Sequence, residues 1–289
     1  MIDLPIAVNT FVWHSPLDDE LLAGTLPKLA AWGFDAVELP LENPGDWDPS
    51  RTADLLAAHG LGNVVGAVFG PGRELAAADS GVIEKTKEYV RTAVDVAVRQ
   101  GAGLVIGPMY TSVGRSWRMT GAERVEVLAE LRTSLAECAD YAGEHGVALA
   151  VEPLNRYETS LLNTTAQVME VIEPLPAEAI GLNLDSYHMN IEERDLDAAY
   201  ATAGDRLLHL QVCGNDRGAP GHDLQDWDAI RLALAAIDYR GMLGIESFTA
   251  DNATIATAAS IWRPLAPSQD QLAVDGLAFL REWRAGWPA

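Results

Sequence analysis

The sequence predicts an α/β fold, a (β/α)8 barrel formed as a single domain over residues 1–289. Three observations carry that prediction. Eight short apolar runs alternate with longer stretches of helical period from end to end. Many of the helical stretches stop at glycine just before the next apolar run. The last four apolar runs each end on a residue able to bind a metal, namely Glu152, Asp185, Gln211 and Glu246, spaced 33, 26 and 35 residues apart. That interval is one strand plus one returning helix, as parallel strands require.

Taken in order, the predicted strands are IAVNTF (6–11), AVELPL (36–41), NVVGAVFG (63–70) and GLVIGPMY (103–110), followed by ALAVEPLN, IGLNLDSYH, LLHLQVCG and MLGIESF. They are almost uniformly apolar, as strands covered on the outside by helices should be. Helical patterns fall between them: LLAGTLPKLAAWG, RTADLLAAHG, GVIEKTKEYVRTAVDVAVRQGA, AERVEVLAELRTSLAECADYAGEHG, TTAQVMEVIEPL, DLDAAYATAG and DWDAIRLALAAIDYRG. QLAVDGLAFLREWRAG closes the chain. Gly33, Gly60, Gly101, Gly146, Gly204 and Gly241 are the expected helix stops, where glycine adopts the left-handed conformation without a Cβ clash. A doubly wound open sheet is the alternative. It would carry a glycine-rich phosphate turn after the first strand, and NTFVWHSPL has none.

Composition narrows the function. With 20 Lys and Arg against 42 Asp and Glu, the net charge is −22. Such a surface repels phosphate backbones and anionic lipid, so neither nucleic acid nor a membrane is expected as a partner. Two cysteines, Cys138 and Cys213, make no disulfide framework and suit a reducing cytosol. The N-terminal MIDLPIAVNTFVW reads as no signal peptide, and no apolar run is long enough to span a bilayer. The expectation is a soluble cytoplasmic protein.

In a barrel of this kind the site lies at the carboxyl ends of the strands. Glu152 and Glu246 each follow an apolar run, where a charge must be paired or bound to an ion. Internal arginine pairing would account for the two glutamates but not for Asp185 and Gln211 as well. Just beyond the same strands come Glu158 in NRYETS, His188 in DSYHMNIEE and Arg217 in NDRG. Glu192 and Glu193 read as the solvated start of a following helix. His209, two residues before Gln211, shares its face one layer deeper and reads as packing or as support for a ligand. Cys213 reads as a small buried filler. Phe11, Trp13, Phe69, Tyr110 and Trp117 lie near strand ends, where they either wall a pocket or simply pack.

EPLNRYET, LDSYHMNIEE and the closing ESF, with WGFDAVELPL and GPMYTSVG, resemble the ketose 3-epimerases of the tagatose, psicose and allulose type. These belong to the xylose isomerase-like superfamily of sugar isomerases and epimerases, and the likeness covers nearly the whole chain. It implies a divalent ion, Mn2+ foremost with Mg2+ or Co2+ as alternatives, held by Glu152, Asp185, position 211 and Glu246. It implies substrate-oxygen contacts from Glu158, His188 and Arg217, and a homo-oligomer. At position 211 the family carries His in an H-x-H strand, where this chain reads His209-Leu210-Gln211. Gln there resembles the hydroxypyruvate isomerase branch. An amide oxygen makes the donor set all-oxygen, which suits Mg2+ or Mn2+ better than Zn2+.

The implied reaction is proton abstraction α to the carbonyl of a free ketose. Glu152 and Glu246, on strands five and eight, act as the catalytic bases on opposite faces of C3. Isomerisation between adjacent carbons, as in hydroxypyruvate isomerase, and elimination from a 3-keto sugar or glycoside are the alternatives. The loops after strands seven and eight, NDRGAPGHD and ESFTADN, offer no glycine-rich phosphate nest, which points to an unphosphorylated sugar. An endonuclease of the same superfamily would need a basic groove. A non-catalytic barrel would have no use for two metal-bound glutamates.

Overall fold

The computed structural model describes residues 4–288. Residues 1–3, the start of the segment expected not to be a signal peptide, and residue 289 lie outside them. Eight parallel strands close into a barrel in chain order: β1 (Ile6–Asn9), β2 (Ala36–Leu41), β3 (Gly62–Ala67), β4 (Leu104–Gly107), β5 (Ala148–Val151), β6 (Ile180–Asp185), β7 (Leu207–Val212) and β8 (Met242–Ile245). β1 pairs with both β2 and β8, so no edge is left open. The predicted fold is the observed one.

Helices α1 (Asp19–Trp32), α2 (Pro49–His59), α3 (Ser80–Gln100), α4 (Gly121–Glu144) and α5 (Thr165–Ile172) return the chain between successive strands. α7 (Leu196–Ala203) and α8 (Trp227–Ala236) do the same after β6 and β7, and α10 (Gln269–Ala285) ends the chain. Local chemistry sets their starts. The Asp18 side chain accepts from Leu21 N at the head of α1. Thr120 and Glu123 form a reciprocal capping box at the head of α4. The core lies between strands and helices, where Leu26, Leu29, Val94, Leu135, Val168, Leu234 and Leu280 are buried.

Five of the six predicted glycine stops have positive φ; Gly241 does not. Asp238, with φ 52°, makes the turn after α8 instead. Gly241 is needed for close approach, since a Cβ there would lie 2.6 Å from Leu208 O and 2.5 Å from Tyr239 Oη. Most strands are shorter than predicted. β1 stops at Asn9, whose side chain accepts from Phe11 N and turns Thr10–Val12 into a 3-10 helix. Two short helices were not expected: α6 (Ser186–Glu192) and α9 (Ala253–Ala258). Asp185 both ends β6 and caps α6, its side chain accepting from Tyr187 N at 2.8 Å. His188 therefore rides on a helix rather than in a loop.

Candidate metal and substrate site

Glu152, Asp185, Gln211 and Glu246 all reach the barrel mouth and all are buried. Their strands place them by register. Asp185 pairs with Gln211 across β6 and β7. Gly244, two residues before Glu246, pairs with Gln211 across β7 and β8. His188 Nε2 lies 3.6 Å from both Glu152 Oε1 and Asp185 Oδ2. Ligand atoms of Glu152, Asp185 and His188 fall within 4.8 Å of one another, close enough to share one cation.

Arg217 extends into this group. Its Nη1 donates to Asp185 Oδ2, and to Glu246 Oε2 at 3.1 Å. Its guanidinium lies 4.0 Å from the Tyr187 ring centre and 5.2 Å from that of Phe248. Its backbone sits at φ 69°, held by Ser247 Oγ donating to Arg217 O at 2.6 Å. A non-glycine residue in that region is strained and persists only where its surroundings impose it, as functional sites often do.

The carboxylates are far from ordinary. Burial pushes the Glu152 carboxyl well above its usual range, and the charges of Glu246 and Asp185 push it further. Burial does the same to Glu246, opposed by Arg217 and reinforced by Asp185 and Glu38. One guanidinium thus faces several buried carboxylates, and a positive charge already occupies the space their oxygens enclose. Such a donor set fits a divalent cation, which would bring the charge the group lacks.

His188 is fixed from the side of Asn155. Asn155 donates its backbone N–H to His188 Nδ1 at 3.0 Å, and its Nδ2 lies 2.9 Å from the same atom. A backbone amide can only donate, so Nδ1 accepts, while Nε2 lies 3.0 Å from Arg217 Nη2, also a donor. Burial, then Arg217, lowers the His188 pKa and keeps the ring neutral. Nε2 faces the site, beside Arg217, Glu152 and Asp185. Glu158 stands beside it, its Oε1 accepting from Asn155 Nδ2 at 2.8 Å. The structure therefore gathers all three expected substrate contacts, Glu158, His188 and Arg217, with the four strand-end residues.

Several partners escaped the sequence reading. Glu38 of β2, fully buried, accepts from Asn9 Nδ2 at 3.0 Å and Gln211 Nε2 at 2.9 Å, while His209 Nε2 lies 2.7 Å from its other oxygen. Asn183 Nδ2 donates to Gln211 Oε1 at 2.7 Å. A lone carboxylate inside AVELPL was the available signal for Glu38, the same one that singled out Glu152. His209 is buried and contacts Glu38, not one of the four strand-end residues. Glu192 and Glu193 do not face solvent as expected. Glu192, its side chain 6% exposed, accepts from Arg156 N at 2.7 Å and Nε at 2.9 Å, which ties the loop after β5 to α6. Glu193 accepts from Thr165 N. Cys213 is buried as expected, with Arg217 Nη1 donating to its Sγ at 3.6 Å. Of the five aromatics, Phe69 and Tyr110 are fully buried packing. Trp13 packs on Trp32 and Trp117 lies under Arg115. Phe11 reaches the site through Phe248, 5.7 Å away between ring centres.

The family described as Xylose isomerase-like TIM barrel matches residues 26–283. A ketose 3-epimerase of Arthrobacter globiformis is 30% identical over 281 residues, covering 96% of each chain. The chain belongs to the ketose 3-epimerase group of that family. Among solved structures, an L-ribulose 3-epimerase is 30% identical with a TM-score of 0.90, covering 97% of this chain and 94% of its own. A D-allulose 3-epimerase from Methylomonas sp., solved in complex with D-allulose, is 27% identical with a TM-score of 0.90 and 98% of both chains covered.

In this member of the group the buried Glu38 depends on a glycine. A Cβ on Gly244 would overlap Glu38 Oε1 and lie 3.0 Å from His209 Nε2. Gly244→Ala should therefore displace the Glu38 carboxylate and destabilise the protein by about 2–4 kcal/mol, an overpacking strain plus a broken buried pair. Urea unfolding of the variant beside wild type measures this, and an unchanged midpoint would refute the packing argument.

Proposed function

We propose that the protein is a divalent-metal-dependent isomerase that inverts C3 of a free ketose. The observation that carries this reading is the gathering of Glu152, Asp185 and Glu246, all buried, around one cationic position, with His188, Arg217 and Glu158 beside it. The likeness to ketose 3-epimerases along nearly the whole chain supports it.

Glu152, Asp185 and Glu246 would hold the ion, Mn2+ foremost, with Mg2+ or Co2+ as alternatives. When bound, such an ion polarises the substrate carbonyl and steadies the negative charge that develops there. His188 and the Arg217 guanidinium contact sugar oxygens, and Glu158 accepts from a hydroxyl. These contacts orient C3 between Glu152 and Glu246. One carboxylate takes the C3 proton and the other returns a proton to the opposite face. Both bases sit immediately beyond the ends of rigid strands, which suits a reaction that depends on orientation. The acidic chain and the absence of a glycine-rich nest after β7 and β8 support an uncharged sugar over a phosphorylated one.

A cytoplasmic setting belongs to the proposal, supported by two free buried thiols. No described helix is long and apolar enough to cross a membrane. Assembly as a homo-oligomer is proposed by family likeness alone.

The test is incubation with D-fructose, D-allulose, D-tagatose and L-ribulose in deuterated buffer with Mn2+, followed by NMR. The expected result is the C3 epimer of at least one ketose, with deuterium at C3. No C3 exchange with any ketose, together with turnover of a 3-keto-glycoside, would replace epimerisation by elimination.

A further inference from the structure

We infer that Glu74, in the loop between β3 and α3, is a positioning residue that sets Glu158 through the loop between β4 and α4. The inference rests on the reading of Glu158 as a substrate contact.

Glu74 lies in RELAAAD and is buried. A carboxylate out of water needs partners. Among the described residues its oxygens accept only from residues 112–115 of the next loop. Oε1 accepts from Ser112 Oγ at 2.5 Å, and Oε2 from Ser112 N at 3.3 Å and Arg115 Nη1 at 2.7 Å. The Glu74 backbone N–H donates to Thr86 Oγ1 at 2.9 Å, which fixes the residue against α3.

Ser112 and Arg115 flank Gly114, and Glu74 grips both. The Gly114 N–H, on a backbone with φ 89°, donates to Glu158 O at 2.7 Å. The Glu158 N–H is used locally, on Asn155 O at 3.0 Å, so Gly114 supplies a tie from outside that turn. Trp117 and Ser160 join the same two loops again. Trp117 N donates to Ser160 Oγ and Ser160 Oγ donates to Trp117 O, both at 2.9 Å. The Arg115 guanidinium lies 4.5 Å from the Trp117 ring centre, so one side chain touches the supports of both ties.

The far side of Arg115 is equally constrained. Its Nη2 donates to Ala77 O at 2.5 Å, and Ala77 N donates to Glu130 Oε2 at 2.7 Å. Ala77 has φ 56°, a strained conformation for a non-glycine residue that persists only where its surroundings impose it. A buried ion pair is weak evidence for stability, since apolar packing in its place is often as stable. An apolar side chain would, however, leave Ser112 and Arg115 free to shift. The turn that Gly114 anchors also reaches the barrel mouth. Glu158 Oε1 accepts from Asn155 Nδ2, and Asn155 N donates to His188 Nδ1. Moving the Glu158 backbone therefore moves a carboxylate that stands beside His188.

The test is a double-mutant cycle on kcat/KM for the fastest of the four ketoses named above, with Mn2+ saturating. It compares wild type, Glu74→Ala, Glu158→Gln and the double variant. Glu74→Ala is expected to lower kcat/KM by about 10–100-fold, the scale of a displaced contact remote from the chemistry. In the Glu158→Gln background the same change should have an effect within about twofold, the scatter of such cycles. An equal loss in both backgrounds would overturn the inference, whatever the melting temperatures. Should Glu74→Ala fail to fold, Ser112→Ala removes the same contact from its other side and takes its place, with the same two outcomes. If Glu158→Gln matches wild type, Glu158 is no substrate contact. That reading then fails and takes the inference with it, by a result distinct from equal losses.

Discussion

Replacing Glu246 by Gln should lower kcat for ketose epimerisation by about 10²–10⁴-fold, the range expected for loss of one positioned acid–base group. The same loss follows Glu152→Gln. Either change keeps an oxygen at the strand end and a similar shape, so the ion should be retained, and measuring bound Mn2+ checks this. With one base missing, the other can still remove and return a proton on its own face. Each variant should therefore exchange the C3 hydrogen of one epimer with solvent and leave the opposite epimer untouched, and the two variants should be complementary. Equal exchange of both epimers by one variant would show that a single base serves both faces, against the two-base reading. The physical basis lies in the site. Both carboxyls are buried and held well above their usual pKa range by burial, and their neighbours' charges modulate this further.

Removing the divalent ion should abolish epimerisation and lower the melting temperature, both restored by Mn2+. The fold keeps Glu152, Asp185 and Glu246 out of water with Arg217 as the adjoining guanidinium. An ion that binds only the folded state adds about 2.7 kcal/mol of stability at one hundred times its dissociation constant. In a domain this large that corresponds to a rise of roughly 5–10 °C. Differential scanning fluorimetry after chelation, then with added Mn2+, Mg2+, Co2+ and Zn2+, reads both effects. The all-oxygen donor set predicts that Mn2+ and Mg2+ restore activity better than Zn2+. A melting temperature indifferent to every cation would mean that Arg217 alone neutralises the site, and the metal-dependent mechanism would fall.

Much of this protein is legible in its sequence, because a parallel barrel imposes a period. Each strand is buried on both faces and reads as an apolar run, and each returning helix reads at its own spacing. A charge at the end of such a run, as at Glu152 or Glu246, stands out because burying it unpaired is prohibitive. By the same logic Glu38 in AVELPL was open to discovery, yet its partners were not. Asn9, His209 and Gln211 come from β1 and β7, and Gly244, which leaves room for them, from β8. Nothing local in the chain links those positions. Glu192 was misread for a related reason. Its acidic neighbours suggest solvent, whereas the bend of α6 behind Asp185 brings it against Arg156.

The sequence by itself determined the barrel, the order of its strands and the strand ends that meet at its mouth, since those depend on periodicity and on the cost of burying charge. Only the tertiary structure decided which oxygens of Asp185 and Glu246 meet Arg217, that Asn155 N donates to His188 Nδ1, and that Gln211 turns its nitrogen toward Glu246. Those choices are hydrogen bonds among residues far apart in the chain, and they exist only once the barrel has closed.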